Sequence, residues 1–132
     1  MASNRNKLEH GRASVAMVHA EAARQAGKLK EYASLAKRTP MLIKTNGLGA
    51  ALAFIKAKRN ASDKSRNEHR MLYEDLKSWL ADQRCPLPLP PNTGDLVAYL
   101  IELDSPDYRA YTLETLAYLT WVRRFSEGLS KD

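Results

Sequence analysis

The chain is short of most things that make chemistry. It has one cysteine in 132 residues, which excludes an internal disulfide framework and, with no signal peptide evident, suits a reducing cytosol. No apolar run approaches the roughly 18–20 residues that a membrane-spanning helix needs. No alternating apolar/polar stretch bounded by turns predicts a strand, and no internal repeat is present. Histidine occurs three times, as His10, His19 and His69, and none has a second histidine at i+4 or a cysteine at zinc-ligand spacing. Cys85 stands alone beside a proline segment, with no local signature of a nucleophile. The acidic pairs Glu74-Asp75 and Asp104/Asp107 fit helix surfaces and first turns without acid–base chemistry. These absences leave an enzyme as the least favoured class, with no cofactor and no metal expected.

What is present is helix-forming sequence and unevenly placed charge. The 21 Lys and Arg against 15 Asp and Glu give a formal net charge of +6. Residues 1–70 hold 15 basic and 5 acidic residues, a net of +10; residues 71–132 hold 6 and 10, a net of −4. Aromatics divide the other way, with only Tyr32 and Phe54 in the first 70 residues. The basic half therefore suits contact with a phosphate backbone, and it has few rings on which bases could stack.

The periodicity predicts an all-α compact bundle of about five to six helices in a single domain, 1–132, with a proline-rich connector at 86–91. Val15, Val18, Ala22, Ala26, Leu29, Ala33 and Ala36 form one stripe over residues 5–37, on a long helix or two nearly collinear ones, with Gly27 as the possible break. Thr39-Pro40 reads as a helix start. The helix that follows, 40–59, reads as the most buried, with Leu48, Leu52 and Ile55 at i, i+4, i+7 and Met41, Leu42, Ile43, Ala51 and Phe54 broadening its apolar surface. Residues 60–66 read as a surface loop. A third pattern follows over 65–83 through Leu72, Leu76 and Trp79, flanked by Met71, Tyr73 and Leu80.

Pro86, Pro88, Pro90 and Pro91 exclude a helix between 86 and 91, and Leu87 and Leu89 are placed to pin that segment to the body. Thr93 reads as the cap of a short helix bearing Leu96, Leu100 and Leu103. Ser105-Pro106-Asp107 repeats the cap-then-proline signal, with Ser105 as the cap of the last helix, Leu113, Ala117 and Trp121 on its apolar side, Leu116, Leu119, Val122 and Phe125 alongside, and Gly128 as its stop.

Asn46-Gly47-Leu48-Gly49 lacks the glycine pattern, preceding strand and Gly-Lys-Ser/Thr ending of a nucleotide site. Two glycines inside a helical pattern point instead to close packing of another helix or chain, with close approach of a ligand backbone as the alternative, which makes Asn46, Gly47 and Gly49 candidate packing or interface residues. On a continuous helix Lys44 and Lys58 lie about 40° apart and about 21 Å apart along the axis, with Arg59 within about 60° of Lys44. With Lys56, and with Arg66 and Arg70 beyond the loop, they make a candidate basic stripe long enough to follow several phosphates. Arg123 and Arg124 form a separate candidate pair that also suits a helix C-terminus.

Two patterns carry a family resemblance. The first is Ala36-Lys37-Arg38-Thr39-Pro40-Met41-Leu42-Ile43-Lys44-Thr45-Asn46-Gly47-Leu48-Gly49-Ala50-Ala51-Leu52-Ala53-Phe54. The second is Tyr108-Arg109, then Tyr111-Thr112-Leu113-Glu114-Thr115-Leu116, then Trp121-Val122-Arg123-Arg124-Phe125. Together they resemble the small helical subunit of type III-B CRISPR (Cmr) RNA-targeting complexes, with Ser126 departing from the small apolar residue expected there. The resemblance implies a non-catalytic, cytoplasmic protein of antiviral defence. It would pack beside other Cmr subunits and neighbouring copies of itself, against guide and target RNA. The competing classes are a free-standing helix-turn-helix DNA-binding regulator, disfavoured by the apolar 40–59 segment, and a protein-interaction module with no nucleic-acid contact.

Overall fold

The computed structural model describes residues 4–59 and 67–130. They form six helices: α1 (Asn4–Gln25), α2 (Leu29–Asn46), α3 (Leu48–Lys58), α4 (Glu68–Ala81), α5 (Leu96–Ile101) and α6 (Ser105–Leu129). No strand occurs among the described residues. The long α6 packs along α1 and α2; α3 and α4 close against α2, and α5 against α3. The helices share one core built around Trp79, Tyr32, Tyr111 and Tyr118 with Leu35, Leu48, Leu52, Leu72 and Leu76.

The first break follows from one glycine. Gly27 adopts φ +74°, the left-handed conformation that costs glycine little. Lys28 N–H then donates to Ala23 O (2.9 Å) and Gly27 N–H to Arg24 O (3.0 Å), the paired bonds of a Schellman helix stop. The α1 face that enters the core is Val15, Ala16, Ala20 and Ala23; Val18, Ala22 and Ala26 of the expected stripe are exposed.

Thr39-Pro40 does not start a helix. Both lie inside α2, and the Thr39 hydroxyl donates to Leu35 O (2.7 Å) rather than capping. The local signal is overridden by burial on both sides of it: Tyr32, Leu35, Ala36, Thr39 and Ile43 make one continuous inward stripe through the proline. The helix ends instead at Gly47, whose φ of 90° and ψ of 160° belong to a region that is essentially glycine's alone. Residues 40–59 are therefore not one helix. They are the last turns of α2, an elbow at Gly47, and α3. They are also less buried than expected, since Met41 is 67% and Phe54 43% exposed.

The α4 expectation agrees with the structure: Met71, Leu72, Tyr73, Leu76, Trp79 and Leu80 are all buried. Its start is set by Asn67, whose side-chain oxygen accepts from Arg70 N–H (2.8 Å) while its amide donates to Lys58 O (3.0 Å), tying the end of α3 to the start of α4. The loop expected over 60–66 lies outside the described residues. Residues 86–91 carry no helix. Leu89 is buried and its N–H donates to Leu80 O (2.8 Å), whereas Leu87 is exposed.

Two caps and one stop differ from expectation. Asp95, not Thr93, caps α5; the Thr93 hydroxyl bonds Pro90 O. Asp104 caps α6, with Ser105 and Pro106 already in its first turn. Gly128 lies inside α6, which continues to Leu129. The buried face of α6 is Tyr111, Glu114, Thr115, Tyr118, Leu119, Val122 and Ser126, while Leu113 is 62% exposed. Ser126 is wholly buried and its hydroxyl has no hydrogen-bond partner, so the small apolar residue expected there would suit the site's surroundings.

Candidate nucleic-acid interface

From Tyr32 to Arg59 the chain holds six cations, Lys37, Arg38, Lys44, Lys56, Lys58 and Arg59, and no carboxylate. This is the stretch that folds into α2, the Gly47 elbow and α3. Lys37, Met41 and Lys44 recur at i, i+4, i+7 on the outer side of α2, and all three are exposed. Because the helix breaks at Gly47, Lys44 and Lys58 do not share one straight helical stripe; they stand on the two arms of the elbow.

The elbow is held from inside the chain. Gly49 N–H, in the first turn of α3, donates to the Tyr108 hydroxyl of α6 (2.7 Å). A Cβ at Gly49 would meet Ile101 Cγ2 at 2.9 Å and the Tyr108 hydroxyl at 3.4 Å, so this backbone is closely approached by α5 and α6. At Gly47 a Cβ would meet only the Tyr108 hydroxyl, at an ordinary 3.5 Å; there the backbone angle demands glycine, not the space. Asn46 is the exposed last residue of α2.

The cations occupy different settings. Lys56 Nζ pairs with Asp95 Oδ2 (2.7 Å) and holds that carboxyl below its ordinary pKa. Lys58 Nζ lies 4.8 Å over the Phe54 ring, and the Arg59 guanidinium 5.8 Å from the centre of the Tyr73 ring. Arg70 pairs with Glu74 one turn on (3.2 Å). Lys56, Arg59 and Arg70 come together with Lys77 around a cavity of about 390 Å³ between α3, α4 and the start of α5. Lys77 is not among the sequence candidates; its cue is its i+7 spacing from Arg70 on α4. Arg66 lies outside the described residues. On the last turns of α6, Arg123 pairs with Glu127 (3.1 Å) and Arg124 stacks 5.6 Å over Trp121.

Away from this surface, several titratable groups are matched inside the bundle. Arg12 Nε and an Nη each donate to one oxygen of Glu114 (2.6 Å both), and Trp79 Nε1–H donates to the same carboxylate (2.9 Å). The Tyr32 hydroxyl donates to Asp75 (2.7 Å), and His19 lies between Tyr118 and Asp75. Burial pushes the phenols of Tyr32 and Tyr118 far up, so both stay neutral. Cys85 is buried, and burial pushes its thiol up to about 11, the opposite of an activated thiolate. Among the described residues no group of three or more His, Cys, Asp or Glu could hold a metal ion, and no helix is long and apolar enough to cross a membrane.

Six helices around one core, with a surface elbow whose own sequence from Tyr32 to Arg59 carries six cations and no carboxylate, define a small all-helical protein. The chain matches the family model of the CRISPR-associated protein Cas_Cmr5 over residues 8–129, and it belongs to that family. It is 28% identical over 112 residues to the CRISPR system Cmr subunit Cmr5 of Thermus thermophilus, covering 85% of each protein. The crystal structure of a CRISPR-associated Cmr5 family protein from the same organism matches with a TM-score of 0.70 at 28% identity, over 92% of this chain and 98% of that one. The resemblance carried by the Asn46-Gly47-Leu48 and Trp121–Phe125 patterns is confirmed by these matches.

Proposed function

We propose that this chain is a non-catalytic small subunit of an RNA-guided, RNA-targeting Cmr ribonucleoprotein in the cytoplasm, serving antiviral defence. It packs beside other Cmr subunits and neighbouring copies of itself, and it contacts guide and target RNA through its basic surface. The observation that carries this reading is the run of six cations without a carboxylate, folded into an exposed elbow. Lys44, Lys58 and Arg59 are the first residues assigned to the RNA backbone, with Lys56, Arg66, Arg70, Arg123 and Arg124 as further members. Asn46, Gly47 and Gly49 shape the elbow that carries the first set.

Contacts of this kind are sequence-blind and salt-sensitive, because each neutralised phosphate releases counterions. The test replaces Lys44, Lys58 and Arg59 together by Glu in the assembled complex. Target-RNA affinity is expected to fall, and the slope of log affinity against log salt to become shallower by about two to three. Unchanged affinity and slope would remove these residues from the interface. Release of cleaved RNA by the purified chain would contradict the non-catalytic role.

A further inference from the structure

The basic elbow also encloses an apolar notch. Arg38, Met41, Leu42, Thr45 and Asn46 of α2 and Phe54 of α3 line a cavity of about 360 Å³. That is within the roughly 300–1,000 Å³ of small-molecule sites, so space for one planar ring system is not limiting. Phe54 is one of two aromatic residues in the first 70 positions, and the other, Tyr32, is wholly buried. Among the described residues of the basic half, Phe54 is thus the one exposed Phe, Tyr or Trp ring, and it stands in a notch with Arg38 in its lining. Arg38 forms part of the wall, Lys58 lies over the ring, and Lys37 and Lys44 flank Met41. Thr45 and Asn46 complete the lining with two residues that carry hydrogen-bonding side chains.

An apolar floor inside a cationic rim is the chemistry of a nucleotide held by its base and its phosphate together. A second exposed apolar groove differs: Met17, Val18, Glu21, Ala22 and Gln25 line it, with a carboxylate and no cation. Charge complementarity therefore selects the elbow notch for a polyanion and gives no such direction to the α1 groove.

We infer that the notch receives one unpaired base of a single-stranded or splayed RNA segment, stacked against Phe54 and covered by Met41, while its phosphates meet Lys44 and Lys58. The inference rests on the proposed RNA contact and adds to it a base-binding point on a surface otherwise suited only to backbone. Every base has a stacking face, so the notch is tolerant of sequence.

The test measures binding of the full chain to three RNAs of equal length: a single strand, the same strand with abasic positions, and an A-form duplex. Wild type is expected to bind the base-bearing strand at least about fivefold tighter than the abasic one. Phe54→Leu is expected to lose that margin and to keep its affinity for the abasic strand and the duplex. Equal wild-type affinity for the two single strands would overturn the inference whatever the variant does. So would a Phe54→Leu chain that binds all three RNAs like wild type but no longer co-purifies with other Cmr subunits, since the notch would then be a protein contact. Lys44→Glu with Lys58→Glu separates the two levels. If this pair weakens binding to all three RNAs while the base margin is absent, the basic-surface reading stands and the notch fails; if it weakens none, both fail.

Discussion

The seam between α1 and α6 and the elbow between α2 and α3 use the same basic residue types under opposite conditions. At the seam, Arg12 and Glu114 are 13% and 6% exposed, and the pair is bidentate with Trp79 completing the carboxylate. Glu9 extends the network, accepting from Arg12 and from Trp121 Nε1–H (3.1 Å). At the elbow, Lys37, Arg38, Lys44 and Lys58 are exposed, and no ion pair to a carboxylate is recorded for them among the described residues. Matched charge inside the bundle stabilises one packing of the chain. Unmatched charge outside it contributes little to the fold and is left to act on a ligand.

The largest effect expected from breaking that contrast is at the seam. Glu114→Ala leaves the nearly buried Arg12 with only the half-exposed Glu9 and leaves the buried Trp79 Nε1–H without its acceptor, so it should destabilise the fold by about 3 kcal/mol in denaturant unfolding. A loss within the range of a surface pair, below about 1 kcal/mol, would place the seam under the same rules as the elbow. Next comes the elbow's backbone. Gly47→Ala forces a side chain into a region that only glycine occupies readily and should cost about 1–3 kcal/mol, against little or no loss for Lys44→Glu, measured in the same way.

A smaller, pH-dependent effect is expected on α4, beside the elbow. His69 on α4 has its pKa lowered chiefly by burial, against the opposing charge of Glu68, with smaller downward pushes from Lys58 and Arg38. Its folded value lies below its unfolded one, so the unfolded chain takes up the proton first as pH falls. The contribution of the neutral ring is intact above about pH 6.5 and is lost as pH falls from there through the folded value. His69→Gln should therefore flatten the decline of Tm between about pH 7 and 5. An unchanged pH profile would show that the fold does not hold the His69 ring neutral.

The same contrast explains what the sequence disclosed. Helix α4 was legible because its inward residues are apolar and regularly spaced. The inward face of α6 was not, because Glu114, Thr115 and Ser126 are polar residues whose burial depends on partners elsewhere in the chain or on packing alone. Glu114 is satisfied by Arg12, 102 positions away, a relation that no local pattern encodes. At the elbow the charge was legible and its shape was not. Pro40 resembles a start and Gly47 resembles a helix-interior glycine until burial of Ile43 and Leu48 fixes where the chain turns. Met41 and Phe54 fit the apolar pattern of a buried helix, and only the turn at Gly47 shows that they remain on the surface.

The central claim is that the elbow's unmatched cations hold RNA by its backbone. Its most direct test is the salt dependence of target-RNA binding by the Cmr complex containing either the wild-type chain or the chain with Lys44→Glu, Lys58→Glu and Arg59→Glu. A weaker affinity and a salt slope shallower by about two to three are predicted for the variant complex. Identical affinities and slopes, with the variant chain folded and present in the complex, would contradict the account.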